Sequence, residues 1–494
     1  MKYLIALTLV LLTEQLTAQD THYWSEHFGT RATLLGGAAT AGLGDNATVY
    51  YNPAAMAFVE DPNLSVTVNA YKMRAINVSN ALGDGLDVKQ TQFLTYPNLI
   101  AGILKFSKWP RLSAGYAVIT KKTFNSNFDY LHQAEYDVDS NGTTENYIAS
   151  YNYNHNVLEY WAGGGFSYQL GARWSFGLSH FGIYKNVNYT NNIDMATLPI
   201  SDPTQDVSRV SSKIDFNYWS VKGNFKPSLN FNTEAFRWGV TYTTPTFHIM
   251  GRANVFREFS ASNLQSLSGG DVVFTDRREK QKVKTKDFGS LAFGVSMRFG
   301  SKAWLHITNE LYFGAPYYLL FDPQNPINTY PSGVPEDQVL AFFGNQNFLA
   351  YGEKYIPVIN SGIGYEVRFS DKWDMMTGVR TDFNHVAPGN QYYTLQKIII
   401  ESSKWHLTHW SIGFGYNTKS KKKWTVGLDY SFVPRFQFSQ FMNFTSPDAN
   451  NLLQGTRTTE AWARQISLKL VLGIEFGGVN SNPMHLEEKK KNIE

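Results

Sequence analysis

Four lysines, Lys280, Lys282, Lys284 and Lys286, stand at period two where an alternating segment over 284–299 begins. At that spacing the side chains of a strand share one face. Their parity is that of Ser290 and Ser296, which puts them at the lumen mouth if the sheet is closed, and Arg277 and Arg278 add charge. Such a patch would draw in anionic amphiphiles by long-range attraction; a solvated loop face is the plainer reading. Asp137-Val138-Asp139-Ser140-Asn141-Gly142 has the oxygen spacing of the first half of a calcium loop, but the twelfth position is Ile148, so an Asn-Gly turn at a loop tip fits better. His406 and His409 lie three apart, on opposite faces of a strand, and so cannot easily share an ion; they read as interface residues. Pro335-Glu336-Asp337 ahead of an apolar run is a helix-start signal, and Phe342 and Phe343 behind it would line a greasy exterior site, with Leu264 and Leu267 a second such set. No Ser/His/Asp grouping has supporting context, and no Gly-rich phosphate loop follows a strand and opens a helix. No enzyme activity, cofactor or metal site is expected.

The elements that must carry these residues are strands. Six of the twelve tryptophans recur at gaps of 65, 64, 66, 69 and 51 residues: Trp109, Trp174, Trp238, Trp304, Trp373 and Trp424. Each has a basic residue one position before it, or two in Lys302-Ala303-Trp304, and alternating segments flank most of them. A basic–Trp pair suits a membrane interface, with the indole at headgroup depth and the cation on phosphates. Six short turns, long loops between them and both chain ends on one rim make fourteen strands, running from about 63–78 to about 460–476. The last is the cleanest: Trp462, Arg464, Ile466, Leu468, Leu470, Leu472, Ile474 and Phe476 share one face, while Ala463, Gln465, Ser467, Lys469, Val471, Gly473 and Glu475 share the other. Strand length and the periodic turns speak against a soluble sandwich, which also alternates. The fold class expected is all-β, a 14-stranded antiparallel transmembrane β-barrel with an N-terminal lumen plug, in the outer membrane of a Gram-negative cell. In that setting the lysines could also meet lipopolysaccharide phosphates.

Composition agrees. Residues 1–18 read as a secretory signal, with Lys2, an apolar stretch over Tyr3 to Leu12 and a cleavage site after Ala18. No later run is apolar and long enough for a helical span. Mean hydropathy is −0.31, which a barrel tolerates because only alternate residues face lipid. The 15% aromatic content supplies interface girdles, and the absence of cysteine removes disulfides and thiolate metal sites. The signal peptide argues against a nucleic-acid partner, and the net charge of +3 argues neither way.

Residues 19–58 do not alternate. Arg31 to Gly42 is dense in small residues, and Gly44-Asp45-Asn46-Ala47 and Tyr51-Asn52-Pro53-Ala54-Ala55-Met56 follow. Such a segment can pack tightly in a confined bore. With Gly239-Val240-Thr241-Tyr242-Thr243-Thr244-Pro245, these motifs resemble the long-chain fatty acid transporter family, the FadL/TodX-like outer-membrane proteins. The resemblance covers essentially the whole mature chain. It implies a monomeric channel for passive uptake of hydrophobic small molecules, long-chain fatty acids first, with an exterior pocket, a greasy interior and a movable hatch. Asn52, Pro53, Ala54 and Met56 would hold the hatch, and Gly42 and Gly44 would permit its tight course. The family's side exit depends on a kinked third strand. Here Tyr116-Ala117-Val118-Ile119-Thr120 reads as regular, whereas Pro97 and Pro245 could interrupt a ladder. The organisation expected is a signal over 1–18, the plug over 19–58, the barrel over 59–476 and a periplasmic tail over 477–494. A protein-docking barrel of a type IX secretion system is the alternative function.

Overall fold

The structure is a computed structural model. It describes residues 22–59, 64–200, 206–264, 271–321, 348–385, 405–418, 422–434, 436–458 and 460–476. The signal (1–18), the tail (477–494), Leu267, Phe342 and Phe343 lie outside these residues.

Alternation becomes a closed antiparallel sheet. Its strands are β1 (Leu64–Ser79), β2 (Val88–Phe106), β3 (Trp109–Tyr136), β4 (Glu145–Gln169), β5 (Trp174–Pro199), β6 (Ser208–Asn232), β7 (Phe236–Thr243), β8 (Phe247–Ser262), β9 (Val272–Lys282) and β10 (Ser290–Phe299). The chain continues through β11 (Ala303–Tyr312), β12 (Ala315–Phe321), β13 (Tyr351–Tyr355), β14 (Val358–Arg368), β15 (Trp373–Asp382), β16 (Leu407–Asn417), β17 (Lys422–Phe432), β18 (Phe436–Phe438) and β19 (Ala461–Phe476). β1 pairs with both β2 and β19, from Leu64 opposite Phe476 to Ser79 opposite Trp462, which closes the barrel. β7 and β8, β9 and β10, β11 and β12, β13 and β14, and β17 and β18 are five wall strands broken midway, so the wall is crossed fourteen times. Pro245, which cannot donate to a ladder, sits in the β7–β8 break.

The basic–Trp pairs mark one rim. Trp109, Trp174 and Trp373 open β3, β5 and β15, and Trp238, Trp304 and Trp424 fall within the first three residues of β7, β11 and β17. Lys108 and Arg237 lie over the rings of Trp109 and Trp304. Between the rims, large apolar side chains face outward: Phe166, Phe176, Leu291, Phe293, Ile363, Phe414, Val426 and Leu472 are all exposed. A closed sheet with an apolar outer face is a wall built for lipid.

Two parts leave the wall pattern. The outer continuations β12 and β13 pair only with each other. They stay beside the wall, where Lys284 N donates to Leu320 O, and send Phe321 and Tyr351 into the bore onto Phe216 of β6, while Arg257 of β8 donates to the Phe348 carbonyl. Residues 22–59 form the other part. They hold two short helices, α1 (Thr30–Leu34) and α2 (Thr48–Tyr51), and a 3-10 helix over Pro53–Phe58. Hydrogen bonds reach this segment from Ser175, Ser179, Ser228, Asn230, Thr308 and Ser411, on strands all around the circumference, so it lies inside the barrel.

Candidate functional site

The motif residues seat the N-terminal segment as their types suggest. Asn52 caps the 3-10 helix by accepting from Ala54 N, donates from Nδ2 to Thr40 O and reaches Leu229 O of β6. Pro53 takes the first helical position, where a missing N–H costs nothing. Ala54 receives Ser175 Oγ at its carbonyl and donates its N–H to Ser228 Oγ. The Met56 carbonyl accepts from Lys105 Nζ at 2.8 Å, and the buried Met56 side chain lies on Gly115 of β3. Gly42 and Gly44 have φ of +86° and +80°, a region L-residues avoid. The wall is cut to fit: a Cβ at Gly115, Gly294 or Gly413 would come within 2.6, 2.7 or 2.5 Å of Met56 Sδ, Ala41 N or Leu34 Cδ1. These glycines are a sequence signal that alternation alone overlooks.

Above this segment the bore is layered. Next comes a cavity of about 170 Å³. Over it lies a large apolar and aromatic cluster that includes Phe124, Tyr151, Tyr189, Phe216, Leu264, Trp405 and Phe441. The cavity is mixed: Val157, Trp161, Val187, Phe288 and Leu407 line it together with charged groups. Its lining carries Lys72, Arg74, Lys121, Lys122, Lys185 and Lys469 against Glu26, Glu159, Asp287, Glu310 and Glu353, with tyrosines and histidines between. Buried charges are costly unless paired and hydrogen-bonded, and those that meet residues 24–26 are paired. Glu26 of the N-terminal segment is 2.6 Å from Lys72 Nζ and 3.2 Å from Lys469 Nζ. Lys469 also meets Asp429 at 3.2 Å, and both guanidinium nitrogens of Arg380 reach Asp429 at 2.9 Å. Arg380 donates in addition to His409 Nδ1 and to the Trp24 carbonyl. Asp382 accepts from Trp24 N and Ser25 Oγ. Residues 24–26 are thus bound to strands β1, β15, β17 and β19 by one connected network. Arg31, paired with Glu366 of β14, is a second tie. His409 is an interior residue of this network, not the interface residue expected; His406 accepts from Asn384 N.

A second, apolar pocket of about 40 Å³ lies further out along the same wall, lined by Ile76, Val78, Val88, Phe124, Phe128, Tyr151, Tyr153, Trp405 and Phe441. It sits where the wall parts. β2 and β3 pair only from Leu99–Ile119 down to Phe106–Trp109. Asn98 bulges from the β1–β2 ladder beside Pro97, and Lys121 bulges from the β3–β4 ladder. Beyond that point β2 follows β1 and β3 follows β4, and the seam is crossed by side-chain bonds from Ser126 to Gln90 and from Arg74, itself held by Gln92, to the Asn125 carbonyl. The third strand is therefore irregular immediately after the stretch that reads as regular, and Pro97 marks the same break. Arg74, stacked on Phe124, stands between the apolar pocket and the charged cavity.

The lysine patch does not face the lumen. β9 carries one extra residue against β8 near Glu279–Lys280, where Lys280 has φ +56°. This bulge inverts the parity that follows. Val283 and Thr285 turn inward, and Lys280, Lys282, Lys284 and Lys286 are exposed. At the Asp137 tip, carboxylate oxygens of Asp137, Asp139 and Glu145 come within 4.8 Å of one another. They accept from the N–H groups of Asn141, Gly142 and Val138, as a loop-tip turn requires.

No family model and no curated protein matches the chain. Solved structures do. A FadL homologue of Pseudomonas aeruginosa superposes with a TM-score of 0.57 at 12% identity, over 92% of this chain and 99% of that one. The Pseudomonas putida toluene transporter TodX gives 0.56 at 14% identity, over 94% and 100%. The monoaromatic hydrocarbon channel CymD gives 0.51 at 12% identity, over 91% and 97%. Fourteen crossings, a closed wall and an occupied bore thus make this a barrel of the FadL/TodX-like fold.

Proposed function

We propose that this protein is an outer-membrane channel for passive uptake of hydrophobic small molecules, with acyl chains that end in a carboxylate as its preferred cargo. The single observation that carries this reading is the stacking of two unlike sites along strands β1–β4: an apolar pocket at the parted β2–β3 seam, and a charged cavity beyond Arg74. An acyl chain suits the first and its carboxylate suits the second. Apolar pockets with a few placed polar groups are the usual form of small-ligand sites. The known channels for hydrophobic compounds that share this fold support the same reading. Residues 22–59 are the hatch: they close the bore below the cavity and move when the Glu26 network is disturbed. Uptake of a radiolabelled long-chain fatty acid and of its alcohol analogue, in a deletion strain with and without the gene restored, tests the proposal. Uptake that does not depend on the gene removes it, and stalled protein export with normal uptake favours the docking alternative.

A further inference from the structure

The outward lysines have a second property. Arg252 of β8 lies directly opposite Lys282 of β9, and both are exposed on the outer face of the wall. Like charges directly opposite on neighbouring strands repel. Among the described residues no carboxylate pairs with Arg252, Lys282, Lys284 or Lys286, although Arg277 and Glu279, further out, pair with each other. An anion from outside the chain would relieve this.

Height says which anion. Down the same outer face from these cations stand Leu291, Phe293 and Phe299 on β10, and Tyr242, Phe247, Ile249 and Met250 flank them on β7 and β8, all of them exposed. Arg252 lies opposite Trp219 of β6, and the unbroken run from Asn232, at the rim of short turns, to Trp219 is a rise on the order of 30 Å for a strand tilted about 45°. That is the thickness of the hydrocarbon core. The ammonium groups therefore lie at its outer boundary, with their stems along apolar wall and their heads at headgroup level. Lys286 is further positioned by the ring of Tyr318, 5.4 Å from its Nζ.

We infer that Arg252, Lys282, Lys284 and Lys286 form a binding site for the phosphate groups of a phosphorylated outer-leaflet lipid. The site rests on the membrane placement of the barrel and is independent of what the barrel transports. Charge-assisted hydrogen bonds to phosphate make such contacts strong, and each basic residue near an anionic surface strengthens binding by about fivefold.

The test is native mass spectrometry of the detergent-purified protein titrated with bisphosphorylated lipid A, dephosphorylated lipid A and inorganic phosphate. The wild type should retain bisphosphorylated lipid A and bind the dephosphorylated form far more weakly. The triple variant K282Q/K284Q/K286Q should lose on the order of 100-fold in affinity, while K282R/K284R/K286R keeps most of it. Heat-modifiable migration checks that each variant is folded. Equal binding of the phosphorylated and dephosphorylated lipids, or an unchanged glutamine variant, overturns the site. Displacement of the lipid by equimolar inorganic phosphate overturns the lipid as its occupant.

Discussion

Glu26→Ala should open the bore. In the intact protein Glu26 is buried between Lys72 and Lys469, and Lys469 has a second acid, Asp429, at 3.2 Å, whereas no other acid pairs with Lys72 among the described residues. Removing the carboxylate therefore strands mainly one buried ammonium. Breaking a buried pair costs roughly 3–5 kcal/mol. The adjacent cavity can admit water to Lys72, so the low end, about 3 kcal/mol, applies. If that cost falls on the seated state of residues 22–59, the open fraction rises about 100-fold. Single-channel recording in planar bilayers reads this directly, as brief openings of the wild type becoming frequent in the variant. The companion Glu26→Met/Lys72→Met removes both charges, and apolar replacement of a whole buried pair is close to neutral; it should return the channel to the closed record. A folded Glu26→Ala protein as silent as the wild type refutes the latch, and so does a double variant as leaky as the single one.

Three further outcomes follow from the geometry. Gly378→Ala sets a Cβ against the backbone of Gly36, which cannot turn aside like a side chain; overpacking of about 1–3 kcal/mol should appear as a lowered unfolding temperature by circular dichroism. Val88→Trp fills the pocket at the β2–β3 seam and should cut labelled fatty-acid uptake at least tenfold while heat-modifiable migration stays normal. Arg74→Gln should slow uptake of a fatty acid several-fold and leave the matching fatty alcohol unaffected, since only the carboxylate loses a partner at the threshold; equal slowing of both would contradict that role.

The barrel was legible because its signals are local and repeated. The Trp spacing counts the turns, and period-two alternation assigns the two faces, so Lys469 already stands on the lumen side of the last strand. The Asn52–Met56 motif and the glycines before it likewise announce a tight, non-alternating segment. Parity over 281–286 was not legible, because one extra residue in β9 turns these side chains over before Ser290 and Ala292 face inward again, and no residue type marks that bulge unambiguously. The charged cavity was hidden for a different reason. Arg380, His409, Asp429 and Lys469 come from four strands, His409 reads as an interface residue and the others as ordinary polar ones, and only closure brings them together. The separate pairing of β12 with β13 was not legible either, since the contacts of Phe321 and Tyr351 with Phe216 are long-range and leave no local trace.

The encirclement of residues 22–59 bears on how the molecule is made. The stopper's N–H groups, carbonyls and side chains are tied to strands on every side, and its backbone fills the hollows left by Gly239, Gly362 and Gly378, so it seats most directly before the cylinder is finished. On that order the β1–β19 edges zip together around a stopper already in place, and biogenesis couples two events that the static picture separates. Chains lacking residues 22–59 should accumulate as unclosed, protease-sensitive sheets, visible as loss of the heat-modifiable band.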